Sequence, residues 1–386
     1  MKTFILTMLL CFLSVGCATT RAVPVYEESG LTVEEKKRLA CAAEEQAFLE
    51  SSGIIYEDEK LEAFLYQIVS RLQPSGVRDE IHFRVKVIKD PHLNAFVLPN
   101  GTIYMHTGIL ARLNNEDQIA ALLSHEMTHI LRRHALKSFR GKDAESPTLP
   151  GRFGKFGDFL ALLGSIGTMA SLSGYSQELE TEADLVGMAM MSAVGYDPKE
   201  VLRLFEYLKR EKEEQNIKEP FFFGTHPRIE RRIDNCRQYL GTSLEDKSPG
   251  QNNEIFFFVR MKKVILENTS LDLKAGRYDS ARRGAEKVLK TGQGDARAYF
   301  LLGEIFRQRG GAADYGKAKA FYEKAISIDP KYPDPHEAIG LIYYKEGEWD
   351  LARQFFESCL ALSPHLPERA YIEGYLKKCV QRGIDS

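Results

Sequence analysis

The chain has 386 residues, with 52 Lys and Arg against 54 Asp and Glu for a net charge of -2, and 44% hydrophobic content. Near-neutrality argues against nucleic acid as the main partner, and the apolar content is ample for a buried core. At this length two domains are expected.

The N-terminus reads as an export signal. Met1-Lys2 precedes an apolar run from Phe4 to Val15, too short for a spanning helix, and Gly16-Cys17-Ala18 fits a lipoprotein cleavage site. Ser14 stands where Leu is commoner, so the match is imperfect. On this reading residues 1–16 are the signal peptide and Cys17 carries the lipid. Ala18 is not the aspartate that retains lipoproteins at the inner membrane, so in a Gram-negative envelope the expectation is a lipid anchor in the outer membrane, facing the periplasm. Of six cysteines, Cys11 lies in the signal and Cys17 is the anchor; Cys41, Cys236, Cys359 and Cys379 remain as disulfides or buried thiols. No C-x-x-C pair exists, which argues against a second, structural zinc.

Leu93 to Leu98 reads as a short strand, Asn100-Gly101 as a hairpin turn, and Thr102 to His106 as the returning strand. In zincins an edge strand beside the metal helix holds a peptide in extended form through main-chain hydrogen bonds; an ordinary core hairpin is the plainer reading. His125-Glu126-Met127-Thr128-His129 then sits in the helix-forming apolar run Gln118 to Leu131. On a helix, residues i and i+4 lie one above the other, so His125 and His129 aim two imidazoles at one spot, as two zinc ligands require. Glu126 stands beside that spot as general base for a water that the metal activates. His134 is five residues on, about 140° around a continuous helix from the His129 face. The metzincin spacing is absent, with Arg132 and Ala135 at its key places, so His134 is expected to be structural or to support a ligand.

Arg140 to Gly154 looks like a mobile loop, and Phe153 to Tyr175, apolar and Gly-rich, like a buried helix or a lid. The acidic start Glu178-Leu179-Glu180-Thr181-Glu182-Ala183-Asp184 offers a third ligand. Glu180 and Asp184 share one helical face and Glu178 and Glu182 another, and spacing does not choose between the pairs. One Glu would bind the metal while an acid one turn later orients a ligand histidine. Gly187 would let this helix approach the His125 helix closely.

A polar, breaker-rich stretch follows at 242–254, read as a linker. Beyond it, Gly340, Tyr343, Ala352, Phe356, Cys359 and Pro364 occupy the small, aromatic and proline positions of a TPR repeat. Gly303, Phe306, Ala318, Tyr322, Ala325 and Pro330 do the same one unit upstream, with a short insertion near Gly310-Gly311. Gly276 to Tyr278, Ala281 and Val288 fit a third, weaker repeat, and Pro367 to Gln381 a capping helix. The concave face of such an array usually binds peptides or partner proteins.

Four motifs in order, HEMTH, ELETEADLVG, GYDP (Gly195 to Pro198) and THPRIERRI (Thr225 to Ile233), resemble the HtpX/BepA-like zinc metallopeptidases, relatives of the CAAX prenyl proteases, over about residues 30 to 240. The resemblance implies that Glu180 is the third zinc ligand and that Asp184 holds a ligand histidine. It matches His226 to a family histidine near the metal that either stabilises the oxyanion or blocks the open position. Arg232 matches the arginine of the family's HPxxxxR pattern. The family's NAF-containing segment makes Asn94, Ala95 and Phe96 the expected substrate edge.

The fold expected is mostly α, within an α+β class: a zincin-like zinc metallopeptidase domain over 17–241 with a small β-sheet, the linker, then an all-α TPR solenoid over 255–386. Its activity would be that of a metalloendopeptidase with one Zn2+ per chain, acting on misfolded or misassembled envelope proteins, with outer-membrane assembly proteins as partners of the array. The competing class is a TPR chaperone or adaptor with a latent peptidase domain. An adaptor has no need of Glu126.

Overall fold

The computed structural model describes residues 32–75, 81–134, 175–214, 229–243, 254–292, 294–363, 365, 367 and 369–384. The signal segment, Cys17, residues 140–174 and His226 lie outside them.

Two helices come first, α1 (Val33–Ser51) and α2 (Glu59–Leu72). Asp58 caps α2 by accepting from the Lys60 and Leu61 amides, satisfying donors that a helix start leaves open. Its buried residues, Leu61, Phe64, Leu65, Ile68, Val69 and Leu72, follow the helical period and form one stripe.

A three-stranded sheet follows: β1 (Arg84–Ile88), β2 (Ala95–Val97) and β3 (Thr102–His106), in the order β1-β3-β2. β1 runs parallel to β3, and β2 antiparallel to it. Alternation splits the side chains between two cores. Val85, Val87, Ala95, Val97, Ile103 and Met105 join the main core, while Phe96, Leu98 and Tyr104 pack under α1 with Ala42 and Leu49. Phe96 and Tyr104 stack across the strands at 5.2 Å. Burial beside this smaller core pushes the Glu45 carboxyl of α1 up to about 7. β2 is shorter than the run read from the sequence. The turn closes through the Gly101 amide on the Leu98 carbonyl, with Gly101 left-handed at φ 90° and the Asn100 side chain accepting from the Thr102 amide.

A short α3 (Thr107–Arg112) leads into α4 (Glu116–Leu131), capped by Asn115 accepting from the Gln118 amide. Asp117 to Leu131 are buried without interruption, so α4 is the central helix of its domain. It ends at Leu131, and Arg133 takes a left-handed backbone with φ 53°. α5 (Gln177–Ala193), capped by Ser176, lies against α4. At the crossing a Cβ on Gly187 would stand 3.0 Å from Ser124 Oγ and 3.3 Å from the His125 amide, so glycine permits the close approach expected of it. α6 (Lys199–Glu214) and α7 (Ile229–Ser243) complete the domain.

The remaining helices pair as TPR units: α8 (Glu254–Lys274) with α9 (Tyr278–Leu289), α10 (Ala296–Arg309) with α11 (Ala312–Ile328), and α12 (Pro333–Glu346) with α13 (Trp349–Leu362), closed by α14 (Arg369–Ile384). The repeat signature has a direct steric cause. A Cβ on Gly303 would lie 2.4 Å from the Tyr322 ring, and one on Gly340 2.8 Å from Phe356. Cys359 and Cys379 share the last apolar cluster as free thiols; Cys41 and Cys236 are free as well. No helix among the described residues is long and apolar enough to cross a membrane.

The first repeat is built into the sheet domain rather than hung from it. α8 lies against α3, and Phe257, Phe258, Met261, Val264 and Ile265 belong to the same core as α4. Buried and part-buried polar contacts fasten the seam. Arg112 Nη1 is 2.8 Å from Asp272 Oδ2, Arg283 reaches Glu211 at 2.9 Å, and Lys287 donates to the carbonyls of Ala111 at 3.0 Å and Leu113 at 2.5 Å.

Candidate metal centre

α4 and α5 cross where their polar residues meet. One turn of α4 separates His125 and His129, and their Nε2 atoms stand 3.1 Å apart. Glu180, in the first turn of α5, brings Oε2 to 3.6 Å from His125 Nε2 and Oε1 to 3.7 Å from His129 Nε2. Among the described residues this trio is the one group of ligand atoms close enough to share an ion. Two nitrogens bound to zinc at about 2.0–2.1 Å with a tetrahedral angle stand about 3.3 Å apart, so the pair is spaced for a metal. Two imidazoles and a carboxylate are also a donor set that suits zinc. The residues present fit the group.

The second carboxylate of this helical face lies behind His125. Asp184 Oδ1 is 2.9 Å from His125 Nδ1, which turns Nε2 toward the shared point. Arg232 of α7 forks Asp184, Nη2 to Oδ1 at 2.6 Å and Nε to Oδ2 at 2.8 Å, and places Nη1 3.2 Å from Glu180 Oε2. Its guanidinium also lies 4.5 Å over the Phe205 ring of α6. Burial pushes the Asp184 carboxyl up, but Arg232 and then His125 outweigh it and hold the group down at about 2. Glu180, 1% exposed, therefore sits next to a buried cation rather than alone in an apolar interior.

Spacing alone left two carboxylate pairs open on α5, and the structure separates them. Glu180 and Asp184 are buried at the histidines, Glu178 is exposed, and Glu182 turns away to Arg132 and His134. Glu126, 1% exposed, follows His125 on α4. The Tyr175 ring stacks on His129 at 3.9 Å and 17°. Burial, then the charges of Glu126 and Glu180, push the Tyr175 hydroxyl far up, so it stays protonated. No sequence signal marks Tyr175 or Phe205; each acts through a tertiary contact alone.

His134 is not 140° from His129. That expectation assumed a continuous helix, but α4 stops at Leu131 and the left-handed Arg133 turns the chain back. His134 Nδ1 lies 3.0 Å from His129 Nδ1. Asn94, Ala95 and Phe96 lie at the β2 edge, differently disposed. The Phe96 side chain enters the α1 core, and the ladder bonds of Asn94 and Leu98 to β3 leave the backbone groups of Ala95 and Val97 facing away from it.

Residues 57–240 match the profile of peptidase family M48, 270–333 a tetratricopeptide repeat and 312–367 a further TPR repeat. The mitochondrial metalloendopeptidase OMA1 of Schizosaccharomyces pombe is 29% identical over 216 residues, 54% of this chain and 62% of that one. The beta-barrel assembly-enhancing protease of Escherichia coli is 25% identical over 284 residues, 70% of this chain and 53% of that one. The chain thus spans only part of the length of these curated relatives. The TPR2AB domain of yeast Sti1 aligns with a TM-score of 0.28 and 14% identity, covering 58% of this chain and 80% of that one, too slight a likeness to inform the fold.

Proposed function

With residues 57–240 a peptidase family M48 domain and tetratricopeptide repeats behind it, we propose that the chain is a zinc metalloendopeptidase of the bacterial cell envelope that cleaves misfolded or misassembled proteins. The observation that carries this reading is the convergence of His125 Nε2, His129 Nε2 and the Glu180 carboxylate next to the buried Glu126.

His125, His129 and Glu180 would hold the ion. When bound, zinc supplies a Lewis acid that polarises a peptide carbonyl and makes water a nucleophile near neutral pH. Glu126 takes the proton of the attacking water and hands it to the leaving amine. Asp184 keeps the His125 proton on Nδ1 and its lone pair on Nε2, and Arg232 keeps Asp184 charged and pairs with Glu180. At the sheet edge, the outward backbone groups of Ala95 and Val97, buried in this structure, would pair with an extended substrate once that edge is uncovered. Asn94, buried with no hydrogen bond to its Oδ1 among the described residues, offers an acceptor at the same edge. By the resemblance His226 lies near the metal. The TPR array would recruit substrates or assembly proteins, with Cys17 as the lipid anchor at the periplasmic face of the outer membrane.

The test is metal content with casein cleavage. Full-length protein is expected to carry one zinc and lose activity to a chelator. Glu126→Gln should keep the zinc and lose at least about 10²-fold in rate, the usual scale of general-base loss. Peptidase activity of Glu126→Gln within a few-fold of wild type defeats the reading.

A further inference from the structure

Asp184 secures the proton of His125; the corresponding group for His129 is a histidine. We propose that His134, carried to its place by the left-handed turn at Arg133 and backed by Glu182, is the hydrogen-bond acceptor that fixes the tautomer of His129, a positioning role that rests on the metal-centre reading above.

A ligand imidazole must offer a lone pair, and His129 offers Nε2, 3.1 Å from its partner on His125. Its proton then sits on Nδ1. The atom facing that proton at 3.0 Å is His134 Nδ1, which can only accept if it carries none. The His134 proton is thereby placed on Nε2, where Glu182 Oε2 receives it at 3.3 Å. The other oxygen of Glu182 is 3.1 Å from Arg132 Nε. Every proton in the series points the same way, from the metal centre outward to a carboxylate paired with an arginine. Reversing any one of them would set two N–H groups head to head or turn a lone pair onto a lone pair.

The backbone is shaped for this contact. Among the described residues Arg133 is the one non-glycine with positive φ, at 53°. Such a conformation is unfavourable for a side chain bearing Cβ and persists where the surroundings over-determine it. A helix continued past Leu131 would carry His134 away from His129. Instead His134 is fully buried beneath α5, while Glu182 keeps 37% of its side chain exposed at the rim. Tyr175 covers the face of the His129 ring, so stacking and hydrogen bonding together set both the tilt and the proton of that ligand.

The experiment is zinc affinity of the full chain by chelator competition, with helical content of the metal-free protein followed in parallel. His134→Phe keeps the ring and removes the acceptor; zinc should bind about 10–100-fold more weakly, the usual cost of losing such a partner. His134→Asn returns an acceptor at the δ position and should recover affinity to within a few-fold of wild type. If His134 only fills space the order inverts, with Phe near wild type and Asn impaired, and the proposal is overturned. Nitrogen-15 spectra of zinc-loaded wild type with labelled histidines test it without any variant. Protonation of His134 on Nε2 and of His129 on Nδ1 is expected, and a proton on His134 Nδ1 is fatal. Failure of the wild type to bind zinc would instead defeat the metal-centre reading and the relay with it, a result distinct from tight zinc binding that ignores His134.

Discussion

Arg232 holds Asp184 by two parallel hydrogen bonds, at 2.6 and 2.8 Å, in a site where both side chains are almost wholly buried. This fork is the third layer of the centre, since Asp184 in turn holds His125. Replacing Arg232 by Met leaves Asp184 and Glu180 as buried carboxylates without their cation. The metal-free protein should lose about 3–5 kcal/mol, the usual cost of stranding one member of a buried pair. Arg232→Lys should recover only part of that, because an ammonium cannot fork a carboxylate. Urea denaturation is the measurement. A Met variant within about 1 kcal/mol of wild type would show that the charges are compensated elsewhere.

Gly187 sets the distance between the two metal-bearing helices. A valine there must push against Ser124 and the His125 backbone, which separates Glu180 from the two imidazoles. Gly187→Val should weaken zinc binding by at least an order of magnitude while the TPR helices stay folded. Calorimetric zinc titration next to circular dichroism checks it; unaltered affinity would mean that α5 can shift without cost.

Glu45 gives a pH signature far from the metal. Its carboxyl is raised from 4.5 to about 7 in the folded chain, so the folded state binds more protons than the unfolded one between those values. The stability that Glu45 contributes is complete below pH 4.5 and lost as pH rises through 7. Glu45→Gln, which cannot ionise, should match wild type near pH 4 and gain on it up to pH 7, reaching on the order of 2–3 kcal/mol and holding constant above. Melting curves of both proteins across this range decide it; a difference independent of pH would remove Glu45 from the account.

His226 lies outside the described residues, and its role follows from the resemblance alone. We expect His226→Ala to raise the peptidase rate with zinc retained, as release of a brake on the open position would. A loss of about 10²–10³-fold with zinc retained would make it an oxyanion donor instead. An unchanged rate would defeat both roles.

Much of this centre is legible in the sequence, for physical reasons. The i, i+4 spacing of His125 and His129 fixes their convergence once α4 forms, and the apolar run around them ensures that it does. The acidic start of α5 is readable as a ligand source, but two carboxylate pairs share its period; spacing does not tell Glu180 from Glu178, whereas the motif resemblance points to Glu180 and the packing of α5 on α4 buries it. His134 is misplaced by helical extrapolation because nothing in Leu131-Arg132-Arg133-His134 announces a left-handed turn; glycine is the usual marker and here the residue is arginine. The TPR units are plain from their small and aromatic positions. That the first of them is welded to α3 is not, since the apolar stripe of α8 says that it must be covered and not by what.

That weld bears on how shortened forms of the protein will behave. Severing the chain before Glu254 would uncover the surface that Phe257, Phe258, Met261 and Ile265 now shield, and would take away the Lys287 ammonium from the carbonyls just ahead of the Asn115 cap. The leftover peptidase half would be a sticky fragment with a frayed approach to its own metal helix. Silence from such a fragment would report a broken scaffold rather than a missing recruiter. Trimming from the other end, after the second or third repeat, removes reach and spares that packed joint, so graded C-terminal deletions are the ones whose phenotypes can be assigned to what the array grasps.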